Sequence, residues 1–227
     1  MTGNDLPKAV LLDIGMTLIH PSGQVMSEEL ARAGAAGIKP AAAEAALAVA
    51  AEAHHLDFPR RLDRSQKVGV TWGPLLGLSP EAGQAAWAGC TARPDLYRDL
   101  DPDAVAVLEQ VRVLGIRVAA VSNSDGTLRE ELQSFGLLDL FDVVVDSTLV
   151  GVEKPQPEIF AEALRQVGCS PDGALFVGDG LVNDIFGAYR AGITRTVLYD
   201  RHRVYRQLPV PVITRLPELL HHLPVGL

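Results

Sequence analysis

Positive charge is in short supply in this chain: 20 Lys and Arg stand against 28 Asp and Glu, a net charge of −8 with histidine neutral. A surface of that sign repels nucleic acid and anionic lipid, which excludes non-specific binding to either as a function. Cysteine is nearly missing. Cys90 and Cys169 lie far apart with no CxxC or metal-ligand spacing, so they read as reduced thiols and not as a disulfide framework. Long apolar runs are missing too, since no stretch approaches the ~18 consecutive apolar residues of a membrane span. The opening MTGNDLPKAV joins no basic segment to a long apolar one, as a secretory leader would. The expectation is a cytoplasmic protein. What is present is ordinary globular material: 227 residues, 48% hydrophobic and 21% charged. That is enough for one large domain, or a domain with an insertion, around a substantial core.

The stretch AVLLDIGMTLIH, residues 9–20, organises the rest. Four apolar residues end abruptly in Asp13, with Gly15 and Thr17 behind it. Such a run, bounded by turn formers, suits a strand buried on both faces of a parallel sheet. A carboxylate just past its end lies where open α/β sheets bind ligands. Taken alone, it is also what any strand running into a polar turn looks like. Three later stretches answer it. RVAAVSN (117–123) is an apolar strand ending in Ser122 and Asn123; GVEKPQPEIF (151–160) holds Lys154 before a proline-marked helix start; ALFVGDGLVND (174–184) is a strand ending in Asp179, with Asp184 one helical turn on.

Between 18 and 95 no strand pattern appears. Helical patterning covers 26–34, 40–55, 66–76 and 80–90, with the charged stretch 56–67 as a loop. PAAAEAALAVAAEAHH, rich in the best helix former and opened by proline, is the clearest case. From about 94 strands and helices alternate: strands at 117–121, 143–146, 174–178, 196–199 and 212–214, and helices at 103–114, 126–135, 157–167, 182–191 and 217–222. Alternation of this kind builds a parallel sheet with helices on both faces. Gly115, Gly136, Gly168 and Gly192 each fall where a left-handed helix cap is expected.

A nucleophile-type aspartate, a hydroxyl, a lysine and a carboxylate pair, in that order on strand ends, resembles the haloacid dehalogenase-like (HAD) hydrolase superfamily. The resemblance covers essentially the whole chain. It implies an α/β fold: a Rossmann-like parallel-sheet core from residues 1–18 and 96–227, with an inserted α-helical cap over 19–95. The linkers near 19–25 and 92–101 become its hinges, and closure excludes water from the site.

The same resemblance implies the chemistry. Asp13 is the nucleophile and forms a covalent intermediate. Thr17 supports its loop, Ser122 and the backbone N–H of Asn123 hold a phosphoryl oxygen, and Lys154 neutralises charge on the phosphoryl group and on Asp13. Asp13, the carbonyl of Gly15 and Asp179 form the first shell of a Mg²⁺ ion, with Asp184 acting through water or orienting Asn183; magnesium takes hard oxygen ligands of this kind. Gly15 is the departure. Phosphatases of the superfamily carry there a second aspartate that protonates the leaving group and then activates water, and glycine does neither. General acid–base catalysis is worth about 10²–10⁴-fold. His20 is the nearest candidate substitute, because imidazole titrates near neutrality; it also reads as a plain linker residue. In the inserted segment Arg60, Arg61, Arg64 and Lys67, near Trp72, form a small basic cluster that reads first as a solvated face.

The implied function is Mg²⁺-dependent hydrolysis of a small phosphorylated metabolite through an aspartyl phosphate. Two other enzymes of the superfamily also lack the second aspartate. A 2-haloacid dehalogenase needs no acid for its halide but works without metal, against the Asp179–Asp184 pair. A phosphonate-cleaving enzyme needs a Schiff-base lysine, and neither Lys39 nor Lys67 sits in a recognisable motif. A third alternative is a non-catalytic phosphate-binding regulator, favoured by Gly15 and opposed by the intact Asp13, Ser122, Lys154 and Asp179. The partner in every case is a small anion, with no nucleic acid and no membrane.

Overall fold

The computed structural model describes residues 6–55, 62–205 and 208–223. The chain folds as two compact units: Met1–Leu18, Leu100–Arg201 and Gln207–Leu227 in one, Ile19–Asp99 and His202–Arg206 in the other.

The first unit is built on a six-stranded sheet. Strand β1 (Ala9–Leu12) is buried along its whole length. The second strand of the chain, β2 (Ile19–Pro21), and the third, β3 (Tyr97–Leu100), pair separately as a two-stranded ribbon. The sheet itself continues with β4 (Arg117–Ser122), β5 (Val143–Asp146), β6 (Ala174–Gly178), β7 (Arg195–Tyr199) and β8 (Val212–Ile213). The order is β5-β4-β1-β6-β7-β8, and each adjacent pair is parallel. β1 thus sits inside the sheet, level with β4 on one side (Leu12 beside Ala120) and β6 on the other (Leu12 beside Val177). Its continuous apolar run is what that place demands, because helices cover both faces of such a sheet.

In chain order the helices are α1 (Gly23–Arg32), α2 (Pro40–Ala50), α3 (Arg64–Leu75), α4 (Pro80–Thr91), α5 (Ala104–Val113), α6 (Leu128–Ser134), α7 (Ser147–Val150), α8 (Pro157–Val167) and α9 (Gly187–Arg190). α8 shows how the sheet is covered. Its Ile159, Phe160, Ala163, Leu164 and Val167 recur at helical spacing and join Leu11, Val121, Val145 and Phe176 in one core. Phe160 meets Phe176 edge to face, with centroids 5.1 Å apart. The four glycines expected as left-handed caps all have positive φ, between 62° and 86°.

Among the described residues, the second unit packs α1 to α4. α3 and α4 approach so closely that a Cβ on Gly69 would lie 2.7 Å from the Gln84 backbone, and one on Gly73 2.7 Å from that of Gly83. Trp72 and Trp87 fill the space beside that contact edge to face, 5.7 Å apart, and Trp72 Nε1 donates to the Ala43 carbonyl. Trp72 is therefore core. Of the basic cluster beside it in sequence, Arg64 and Lys67 lie on α3, while Arg60 and Arg61 fall outside the described residues.

Several details differ from the expectations drawn from the sequence: the helix expected over 40–55 ends at Ala50 and runs on as a 3₁₀ segment, Ala51–His55, and the helix expected over 217–222 is a 3₁₀-helix, Leu216–His222. The segment between 18 and 95 is not strand-free: β2 pairs with β3 inside the stretches read as irregular linkers. Three or four residues carry too little periodicity to announce a strand, and their partner is more than seventy residues away. The single helix expected over 182–191 is a π-helix, Leu181–Phe186, followed by α9. The short helix α7, after β5, had no pattern long enough to read.

Candidate active site at the strand ends

Parallel strands bring their carboxyl ends to one edge, and three of them deliver the candidate residues there. Asp13 follows β1, Ser122 closes β4, and Asp179 follows β6. Ladder hydrogen bonding reaches right up to Asp13, whose N–H donates to the Val177 carbonyl at 2.9 Å. Asp13 is 7% exposed and Ser122 6%. Thr17, on the loop after β1, aims its hydroxyl between two carboxylates, 3.4 Å from Asp13 Oδ2 and 3.3 Å from Asp179 Oδ1.

Lys154 arrives from the loop between α7 and α8 and is only 2% exposed. Its ammonium bonds Asp13 Oδ1 and, at 2.7 Å, Asp184 Oδ1, and it stands 5.8 Å from the Phe176 ring centre. Burial alone would lower the pKa of this lysine, but the fields of Asp13 and Asp184 outweigh it and hold the group above its ordinary 10.5. Asp184 is fully withdrawn from water on the π-helix. The Ile185 N–H reaches back five residues to the Gly180 carbonyl, the Asp184 N–H shares that acceptor, and Gly180 N–H in turn donates to Asp184 Oδ2 at 2.8 Å. Widened turns of this type recur at functional sites.

Asp13, Asp179 and Asp184 each bring a carboxylate oxygen within 4.8 Å of the others. Among the described residues, Lys154 is the cation bonded to this group. The imbalance is felt at Asp179, whose pKa is raised well above 3.8, first by withdrawal from water and then by repulsion from Asp13 and Asp184. Burial also raises Asp184, opposed by Lys154. The donor set is all carboxylate oxygen and carries an excess of negative charge, which fits a hard divalent cation. Both oxygens of Asp184 are engaged, by Lys154 and by Gly180 N–H, and so are both of Asp13, by Lys154 and by the Thr17 hydroxyl.

Asn123 lies beside Lys154, pairing its side-chain amide with the lysine's backbone. Gly15 is half-buried on the loop. His20, 4% exposed, belongs to the helical unit, on β2. Other contributors carried no clear signal in the sequence. Met16 holds φ = 62°, a left-handed conformation uncommon for a side-chain-bearing residue and a mark of functional loops. Gly178 is required because a Cβ there would overlap the Asp184 carboxylate. Asp146 accepts the N–H groups of Gly126, Leu128 and Thr148 at 2.9–3.2 Å, bracing the loop that follows Ser122. A short polar run closing a strand, DST here, was the signal available for that brace.

A model of the haloacid dehalogenase-like hydrolases matches residues 7–192. The chain belongs to this family. Relatives of this hydrolase include the glyceraldehyde 3-phosphate phosphatase of Methanopyrus kandleri, 32% identical over 198 residues, or 82% of this chain and 81% of that protein. The phosphoserine phosphatase of Thermus thermophilus is 31% identical, over 86% of this chain and 89% of its own. Among solved structures, a HAD phosphatase from Thermococcus onnurineus superposes with a TM-score of 0.60 at 26% identity, covering 94% of this chain and 96% of the other.

Proposed function

We propose that this hydrolase is a Mg²⁺-dependent phosphatase of a small phosphorylated metabolite. The observation that carries the reading is the buried Asp13 carboxylate at the end of β1, bonded to Lys154 and grouped with Asp179 and Asp184. Two relatives named for phosphatase activity on small phosphate esters support it. Asp13 attacks phosphorus in line, the P–O bond to the alcohol breaks and the alcohol leaves, and water then hydrolyses the aspartyl phosphate to phosphate and free Asp13, so one hard displacement becomes two easier ones. Lys154 neutralises charge on Asp13 and lowers repulsion against the incoming dianion. Ser122 Oγ and Asn123 N–H hold phosphoryl oxygens, and Thr17 orients Asp13. Asp13, Asp179 and the Gly15 carbonyl would hold Mg²⁺, with Asp184 fixed by Lys154 and Gly180. When bound, the ion supplies charge neutralisation at the phosphoryl oxygens.

Gly15 brings no proton donor, so this site favours esters whose leaving groups depart without protonation, and His20 is the candidate donor for others. The helical unit, inserted after β1, is assigned the choice of substrate, since the strand-end residues address only the phosphoryl group. The dehalogenase reading shares the missing acid, but a metal-free mechanism leaves the excess of carboxylates around Lys154 without purpose.

The test is hydrolysis of p-nitrophenyl phosphate with and without Mg²⁺. Magnesium-dependent turnover that falls at least about 10³-fold in Asp13→Asn is the expected result. Turnover of chloroacetate without metal, or phosphate binding with no hydrolysis, overturns the phosphatase. His20→Gln should slow alkyl phosphates while sparing p-nitrophenyl phosphate; equal effects on both remove His20 from the scheme.

A further inference from the structure

Lys154 has to place a buried ammonium between two carboxylates from a loop that belongs to no helix or sheet ladder. The neighbouring turns around it are tied locally, Val152 N–H to the Ser147 carbonyl and Gln156 N–H to the Glu153 carbonyl. Lys154 itself is tied differently. Its N–H donates to Asn123 Oδ1 at 2.7 Å, and its carbonyl accepts from Asn123 Nδ2 at 3.0 Å. The planar carboxamide therefore pairs with this residue as a neighbouring peptide strand would, using one acceptor and one donor together. Asparagine is the side chain for that task. Aspartate has no donor, serine has a single polar atom, and glutamine is one methylene too long.

Asn123 is in a position to transmit register. It follows Ser122, the last residue of β4, and β4 lies beside β1, the strand that delivers Asp13. The 31-residue separation between Asn123 and Lys154 is thus bridged by one side chain that references the lysine to the strand carrying the attacking group. We propose that the Asn123 side chain is a positioning residue: it holds the Lys154 backbone so that the ammonium meets Asp13 and Asp184, a role separate from any contact of its backbone N–H with substrate. The inference rests on the phosphatase reading for its effect on rate, and on the two hydrogen bonds for its geometry. Sub-ångström placement of reacting charges governs turnover, so the loss is felt in the chemical step.

The experiment uses the full chain with Asn123→Ala, and Asn123→Leu as a second variant that keeps bulk without polar atoms. Two hydrogen bonds are together worth about a factor of 30 in an equilibrium, of which the rate feels the part that places the ammonium. The expected result in both variants is a fall of about 10-fold in kcat for p-nitrophenyl phosphate, with KM within about twofold, in a protein that still folds with a modestly lowered melting temperature. A KM rise with kcat preserved overturns the proposal, because the amide would then be acting on substrate. Unchanged kinetics in either variant also overturn it. Amide hydrogen exchange at Lys154 separates the two readings: faster exchange in the variants supports the clamp even where wild type hydrolyses nothing and the phosphatase itself fails. Exchange as slow as in wild type overturns the clamp whatever the activity.

Discussion

Around Lys154 stand the carboxylates of Asp13, Asp179 and Asp184; around Arg93 stand those of Glu28, Glu29 and Asp95. The ingredients match and the outcomes differ. Arg93 reaches Asp95 by two bonds of 2.7–2.8 Å and Glu28 at 2.6 Å, tying α1 to the stretch just after α4. Its side chain is 25% exposed, those of Glu28 and Asp95 40% and 36%, and Arg32 and Arg98 add further positive charge at Glu29 and Asp95. In that watered, charge-balanced setting Glu28 and Asp95 are held below their ordinary pKa values, foremost by the Arg93 hydrogen bonds. At the strand ends Asp13 and Asp184 are buried, Asp179 is half-buried, the group is short of positive charge, and Asp179 moves the opposite way. A balanced surface network is what folding tolerates readily; a buried excess of one sign costs stability and persists where a ligand or ion completes it.

Lys154→Met breaks the contrast between the two clusters most severely. Removing the bonded cation from a buried group should cost about 3–5 kcal/mol of unfolding free energy, read by urea denaturation of the metal-free protein at neutral pH. Arg93→Met should cost clearly less, and an equal or larger loss there would erase the distinction. Supplying Mg²⁺ comes next. A cation that binds only the folded state at a hundredfold excess over its Kd raises stability by about 2.7 kcal/mol. Wild type should show that rise in its melting temperature, whereas Asp179→Asn should show none and should match or exceed wild type in EDTA. A magnesium response surviving in Asp179→Asn would remove Asp179 from the ligands. The smallest effect concerns pH. Because Glu28 and Asp95 have lowered pKa values when folded, Arg93 contributes fully above their ordinary values of 4.5 and 3.8 and loses its contribution as pH falls through the lowered ones. The stability gap between wild type and Arg93→Met should therefore be constant near neutrality and close in acid, as followed by thermal melts across pH.

The sequence by itself determined the fold class and the family. AVLL, VAAV and ALFV read as strands covered on both faces, because runs so apolar and so short have no solvent-facing stripe and alternate with helices at 3.6-residue spacing. Strand ends, and with them the places of Asp13, Ser122 and Asp179, follow from the first polar residue after each run. Tertiary structure decided the rest: that β1 lies between β4 and β6, that two linker segments pair as a ribbon, that the chain over 181–186 widens into a π-turn, and that Met16 takes a left-handed conformation. It also decided which atoms meet, such as Lys154 with Asp13 across 141 residues. Periodicity records which face of an element is buried, within a window of a few residues. Which neighbour buries it is settled only when the whole chain competes for the same core, and so are the side-chain bonds that depend on that neighbour.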